Sequence, residues 1–186
     1  MTDLPDLEIP PDVLNAMARG ESITFIGMDT GDALPPPSPE FILSTLRTGL
    51  EAAGEVLNLV IVGTATETMM CPTPLHPLKV FAVLAAMRAG GKVGPLSWIA
   101  VGIDTYVRSD YPPDGLTPTE AFEKGLPDAG EALTVMCVAP DGPGYYYEHH
   151  YTRTPGGFVF DDEVIDHTSH ERIDPMYDAM LATVAL

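Results

Sequence analysis

Between Ala132 and Ile165 the chain reads ALTVMCVAPDGPGYYYEHHYTRTPGGFVFDDEVI, and this stretch decides the C-terminal half of the fold. Ala132–Val138, Tyr145–Thr152 and Phe158–Ile165 are rich in β-branched and aromatic residues. Asp141-Gly142-Pro143-Gly144 and Pro155-Gly156-Gly157 separate them with turn chemistry. The pattern predicts a three-stranded antiparallel meander. Asp174-Pro175 then starts a final helix reaching Val184.

Upstream, helix and strand signals alternate. A helix is expected from Pro11 to Arg19 and a strand over Ser22–Met28. A Pro-rich loop, DTGDALPPPSP, follows. A second helix runs from Pro39 to Ala53, with Ser38 as N-cap and Gly54 as stop. Val56–Val62 (VLNLVIV) is a continuous apolar run, as expected of a strand covered on both faces. A third helix, Pro77–Ala89, is apolar nearly all round and ends at Gly90-Gly91. Leu96–Val107 reads as a strand. Thr117-Pro118-Thr119-Glu120 is a capping box with proline at N1, and it opens a short helix. The whole predicts one α/β domain over residues 1–186, α+β at its C-terminal end. A mixed sheet of about five or six strands carries helices on its faces and ends in the meander and a helix. The expected core includes Leu59, Ile61, Ile99, Val101, Val135 and Cys137.

Composition bounds the function. The net charge is −18, from 27 acids against 9 Lys and Arg. Residues 1–62 hold 10 acids and 2 bases, 63–124 hold 6 and 5, and 125–186 hold 11 and 2. Acidic ends flank a near-neutral middle. Such a chain repels nucleic acid and anionic membrane, so neither is an expected direct partner. Met1–Pro10 has no basic or apolar leader pattern, and the strongest apolar run, Val80–Met87, is far shorter than the ~20 residues of a membrane span. A cytoplasmic protein is the expectation. Two cysteines cannot build a disulfide framework or a four-thiolate zinc site.

Three features bear on chemistry. Asp166, His167 and His170 sit in an acidic segment that includes Asp161, Asp162, Glu163 and Glu171. Two imidazoles three residues apart with a carboxylate could form a two-His, one-acid metal site. A solvated loop explains the same segment. Cys71, with His76 five residues on, precedes the third helix, where a thiol can be activated as a nucleophile; a buried inert cysteine in a Met-rich loop is the alternative. Tyr145, Tyr147, His149 and Tyr151 alternate onto one strand face as a candidate interaction surface, or as packing against Phe158 and Phe160. Phosphate-loop, dinucleotide, zincin and nucleophile-elbow motifs are absent from the sequence.

These readings favour a non-enzymatic protein that works through protein–protein contact without a cofactor. A small hydrolase or metal-dependent enzyme using His167/His170 or Cys71/His76 is the alternative. An acidic DNA mimic is the third reading. A homodimer through Pro77–Ala89 is expected, because that helix is apolar on all sides and lies in the near-neutral middle.

Overall fold

Ser38 has extended backbone, and its hydroxyl accepts the Phe41 N–H at 3.2 Å. Pro39 occupies the first turn, and Gly54 closes the end in the left-handed region at φ 77. These caps bound helix α1, Pro39–Ala53. The computed structural model describes residues 23–26, 35–73, 76–91, 93–108, 114–140, 144–168 and 175–185. The helix expected over Pro11–Arg19 lies outside them.

Among the described residues eight strands follow one another as β1 (Ile23–Ile26), β2 (Asn58–Gly63), β3 (Glu67–Thr73), β4 (Trp98–Arg108), β5 (Ala129–Val138), β6 (Tyr145–Thr154), β7 (Gly157–Phe160) and β8 (Ile165–Asp166). The other described helices are α2 (Pro77–Ala89), α3 (Pro118–Glu123) and α4 (Pro175–Ala185). The sheet order is β1-β3-β2-β4-β5-β6-β7, and β8 also pairs with β6. The α/β class and the closing meander and helix are as expected.

Every described pairing is antiparallel, where alternating elements pointed to a mixed sheet. The reason is β3, a strand where the Met-rich sequence predicts loop. Strands β1 and β2, joined through α1, run in the same direction, and β3 lies between them. Strands β3 and β4, joined through α2, also run in the same direction, and β2 lies between them. Each crossover skips one reversed strand. Both crossovers step the same way across the sheet from strands of opposite direction. A constant crossover hand therefore puts α1 and α2 on opposite faces.

The burial pattern agrees. On one face, Ile42, Leu46 and Leu50 of α1 pack on Leu59, Ile61, Ala100, Leu133 and Val135. On the other, Phe81 and Leu84 of α2 and Met180 and Val184 of α4 pack on Val60, Val62, Ile99, Val101 and Met136. The six expected core residues are all buried. Two glycines set the fit. A Cβ on Gly102 would stand 2.7 Å from Ile42 Cγ2 and 2.9 Å from Leu46 Cδ1, so α1 crosses the sheet at that point. A Cβ on Gly63 would enter the ring of Trp98, its cross-strand partner.

Helix α2 lies beside α4, and the Arg88 guanidinium donates to the carbonyls of Thr183 and Val184 at the end of α4. One flank of the apolar helix is thus covered by its own chain. No described helix is long and apolar enough to cross a membrane.

Candidate functional site

Strand β6 reads YYYEHHYTRT, and its alternation sends a polar group to each face of the sheet. Glu148 sits on the face of α2 and α4, where burial leaves it 5% exposed. Its carboxylate is fully engaged. Tyr146 OH donates to Oε1 at 2.6 Å, and His167 and His150 each place Nε2 near Oε2, at 3.0 and 3.4 Å. Burial pushes the Glu148 carboxyl up. Hydrogen bonds from His150 and Tyr146, with the charge and bond of His167, outweigh it and hold the group at about 2. The bond to Glu148 in turn raises His150.

The histidines approach Glu148 from different elements. His150 is two residues further along β6. His167 follows β8, and its backbone N–H pairs with Tyr146 O. The Tyr146 and His167 rings lie 5.0 Å apart. Thr134, the cross-strand neighbour of Glu148, shares its face. Among the described residues, Thr134 Oγ1 is the buried side-chain polar atom without a hydrogen bond.

The opposite face carries a second network. Tyr151 OH donates to Asp104 Oδ1 at 2.7 Å and lies 3.3 Å from Glu131 Oε1. Arg153 donates to Glu131 at 2.8 Å and to the Gly54 carbonyl at 2.8 Å. It therefore ties the end of α1 to strands β5 and β6. Desolvation raises Asp104 despite the Tyr151 bond and the Arg153 charge. At the end of β4, Arg108 is buried between Asp114 and Asp128 and anchors both flanks of α3. These contacts read as structural clamps.

The sequence candidates fall as follows. Tyr145, Tyr147, His149 and Tyr151 share the α1 face of β6. Tyr145 OH donates to Pro37 O at 2.7 Å. Tyr147 is partly buried against the core, and the His149 ring lies 5.0 Å from Phe160. Tyr151 is buried, with Phe158 and Phe160 at 5.8 and 5.4 Å. The stripe thus packs largely inward. Cys71 lies within β3 opposite Val60 rather than in a loop, and His76 Nδ1 accepts the Leu78 N–H at the start of α2. Cys137 is buried, which pushes its thiol up to about 12. No disulfide joins the two cysteines.

Of the metal candidates, Asp166 is exposed and accepts the Thr168 N–H, His167 binds Glu148, and His170 lies outside the described residues. Among the described residues no three His, Cys, Asp or Glu side chains converge on one cation position. The sequence reading missed Glu148. The only local signal was an acid alternating with tyrosine and histidine in a strand.

Two surface features remain. A cleft of about 240 Å³ lined by Arg88, Ala89, Val93, Gly94 and Pro95 lies beyond the end of α2. It is smaller than the roughly 300 Å³ at the low end of small-molecule sites. The outer segment β7–β8 is the more distinctive. Two residues separate Glu148 from Tyr151 on β6, but four separate their partners Ile165 and Phe160. Two extra residues therefore bulge from the edge. Around this bulge Asp161, Asp162, Glu163 and Asp166 are exposed. Val159, Val164 and Ile165 are exposed among them, at 57%, 39% and 39%.

The fold and these clusters define an antiparallel three-layer α/β protein with an acidic, bulged sheet edge. No protein-family model, curated protein or solved structure matches the chain.

Proposed function

We propose that this is a non-enzymatic, cytoplasmic interaction protein that holds a basic protein partner at its β7–β8 edge. One observation carries the reading: exposed Val159, Val164 and Ile165 stand among exposed Asp161, Asp162, Glu163 and Asp166. Apolar side chains ringed by one sign of charge combine buried contact area with electrostatic selection of the partner. The same charge repels nucleic acid and anionic lipid.

Poly-L-lysine titrated against the whole chain tests this. Reversing three edge acids (D161K, D162K and E163K together) should weaken binding more than reversing three exposed acids on β3, α3 and α4 (E67K, E123K and D178K together). The change in net charge is identical. Equal losses would reduce the attraction to net charge alone and sink the reading.

A second reading has its own observation. The Glu148 carboxylate is fixed between Tyr146, His150 and His167, an arrangement that can orient an imidazole for proton transfer. It is the hydrolase alternative with His167 kept and Glu148 and His150 in place of His170, Cys71 and His76. A screen of ester and phosphoester substrates would remove it if Glu148→Gln and His150→Ala leave every rate unchanged. The homodimer through Pro77–Ala89 is also retained as a proposal. Leu78 of that helix is exposed. Light scattering that gives 19.9 kDa at every concentration in high salt would eliminate it.

A further inference from the structure

Resting on that reading of the edge, we infer that β7 is a docking strand to which a basic, extended segment of the partner adds as a further strand of the sheet. Asp161 N donates to His150 O, which makes His150 and Asp161 a bonded pair of the antiparallel ladder. Bonded and non-bonded pairs alternate, so Arg153↔Phe158 and Tyr151↔Phe160 are the non-bonded ones. Phe158 and Phe160 therefore turn their backbone N–H and C=O groups away from β6. No described strand lies beyond β7. Outward backbone groups of this kind template strand addition.

Charge selects the occupant. The acids of the bulge begin one residue past Phe160, and a second copy of this chain would bring the same acids to the same edge. A bulge and charges protect an edge against self-pairing. The repulsion reverses for a basic strand. Arg47 and Arg153 cover the rings of Phe160 and Phe158 on the α1 face, at 4.4 and 5.2 Å. The partner's cations accordingly belong on the other face, beside Val159 and Asp161. A strand with basic residues at every second position meets that requirement.

A heptapeptide of alternating Lys and Val, added to the isotope-labelled full chain, tests the inference by hydrogen exchange. The expected result is slowed exchange at the Phe158 and Phe160 amides. Binding should fall about tenfold or more in the D161K/D162K/E163K variant and change little in the E67K/E123K/D178K variant. The absence of peptide binding, or binding that leaves the Phe158 and Phe160 amides unprotected, would overturn strand addition. If poly-L-lysine still prefers the wild-type edge in that case, the acidic contact stands and only its mode is wrong. Loss of both responses removes the edge as an interaction site.

Discussion

At the scale of single residues, Glu148 and Thr134 make opposite predictions. Glu148 is held at about 2 in the folded protein against an ordinary 4.5. The unfolded chain therefore binds more protons between these values. The stabilisation is present above about 4.5 and is lost as pH falls toward 2. His150 is raised, so its share is complete below 6.5 and fades as pH rises through its folded value. Together they give a stability maximum between roughly pH 4.5 and 6.5. Glu148→Gln should flatten both flanks in denaturation midpoints measured from pH 2 to 9, removing on the order of 3 kcal/mol. An unchanged profile would show that the cluster does not form. Thr134 carries a buried hydroxyl with no partner. Thr134→Val keeps the shape and removes the desolvation penalty, so urea denaturation should show a gain of about 1 kcal/mol. A loss instead would mean that the hydroxyl is bonded in solution.

At the scale of elements, the best-read parts of the sequence are those with chemistry confined to one turn. Helices α1 and α2 have the bounds the sequence predicts, and Gly90-Gly91 marks the end of α2. The Thr117 hydroxyl accepts the Glu120 N–H at 3.2 Å, and Glu120 Oε2 accepts the Thr117 N–H at 2.8 Å, completing the box before α3. Thr117→Ala should cost roughly 0.5–2 kcal/mol in chemical denaturation. No change would place the cap elsewhere. Strand β3 was not legible. Its sequence ETMMCPT contains Pro72, which argues against an interior strand. The structure tolerates it because the described pairing of β1 with β3 ends at Met70, leaving Pro72 paired only with Leu59 on β2. Helix α1 makes a further prediction. Gly102→Ala forces a methyl group into Ile42 and Leu46, so it should cost about 1–3 kcal/mol in thermal or urea melts. A neutral effect would mean that α1 is free to lift from the sheet.

At the scale of the whole molecule, charge and topology separate. A net charge of −18 opposes compaction at low ionic strength. Raising NaCl should therefore raise the melting temperature, as a calorimeter would show directly. A fall would mean that ion pairs such as Arg153–Glu131 and Arg108–Asp128 outweigh the general repulsion. The sequence alone determined the helix ends, the buried strand residues and the closing meander. Those depend on periodicity and on capping within a few residues. Only the tertiary structure decided the strand order, the inward packing of the tyrosine stripe and the bulged acidic edge. It also assembled the two polar clusters. Tyr151 meets Asp104 across 47 residues and His167 meets Glu148 across 19. Such pairs are created by strand register, and register is set by which faces bury one another, a property no local window of sequence contains.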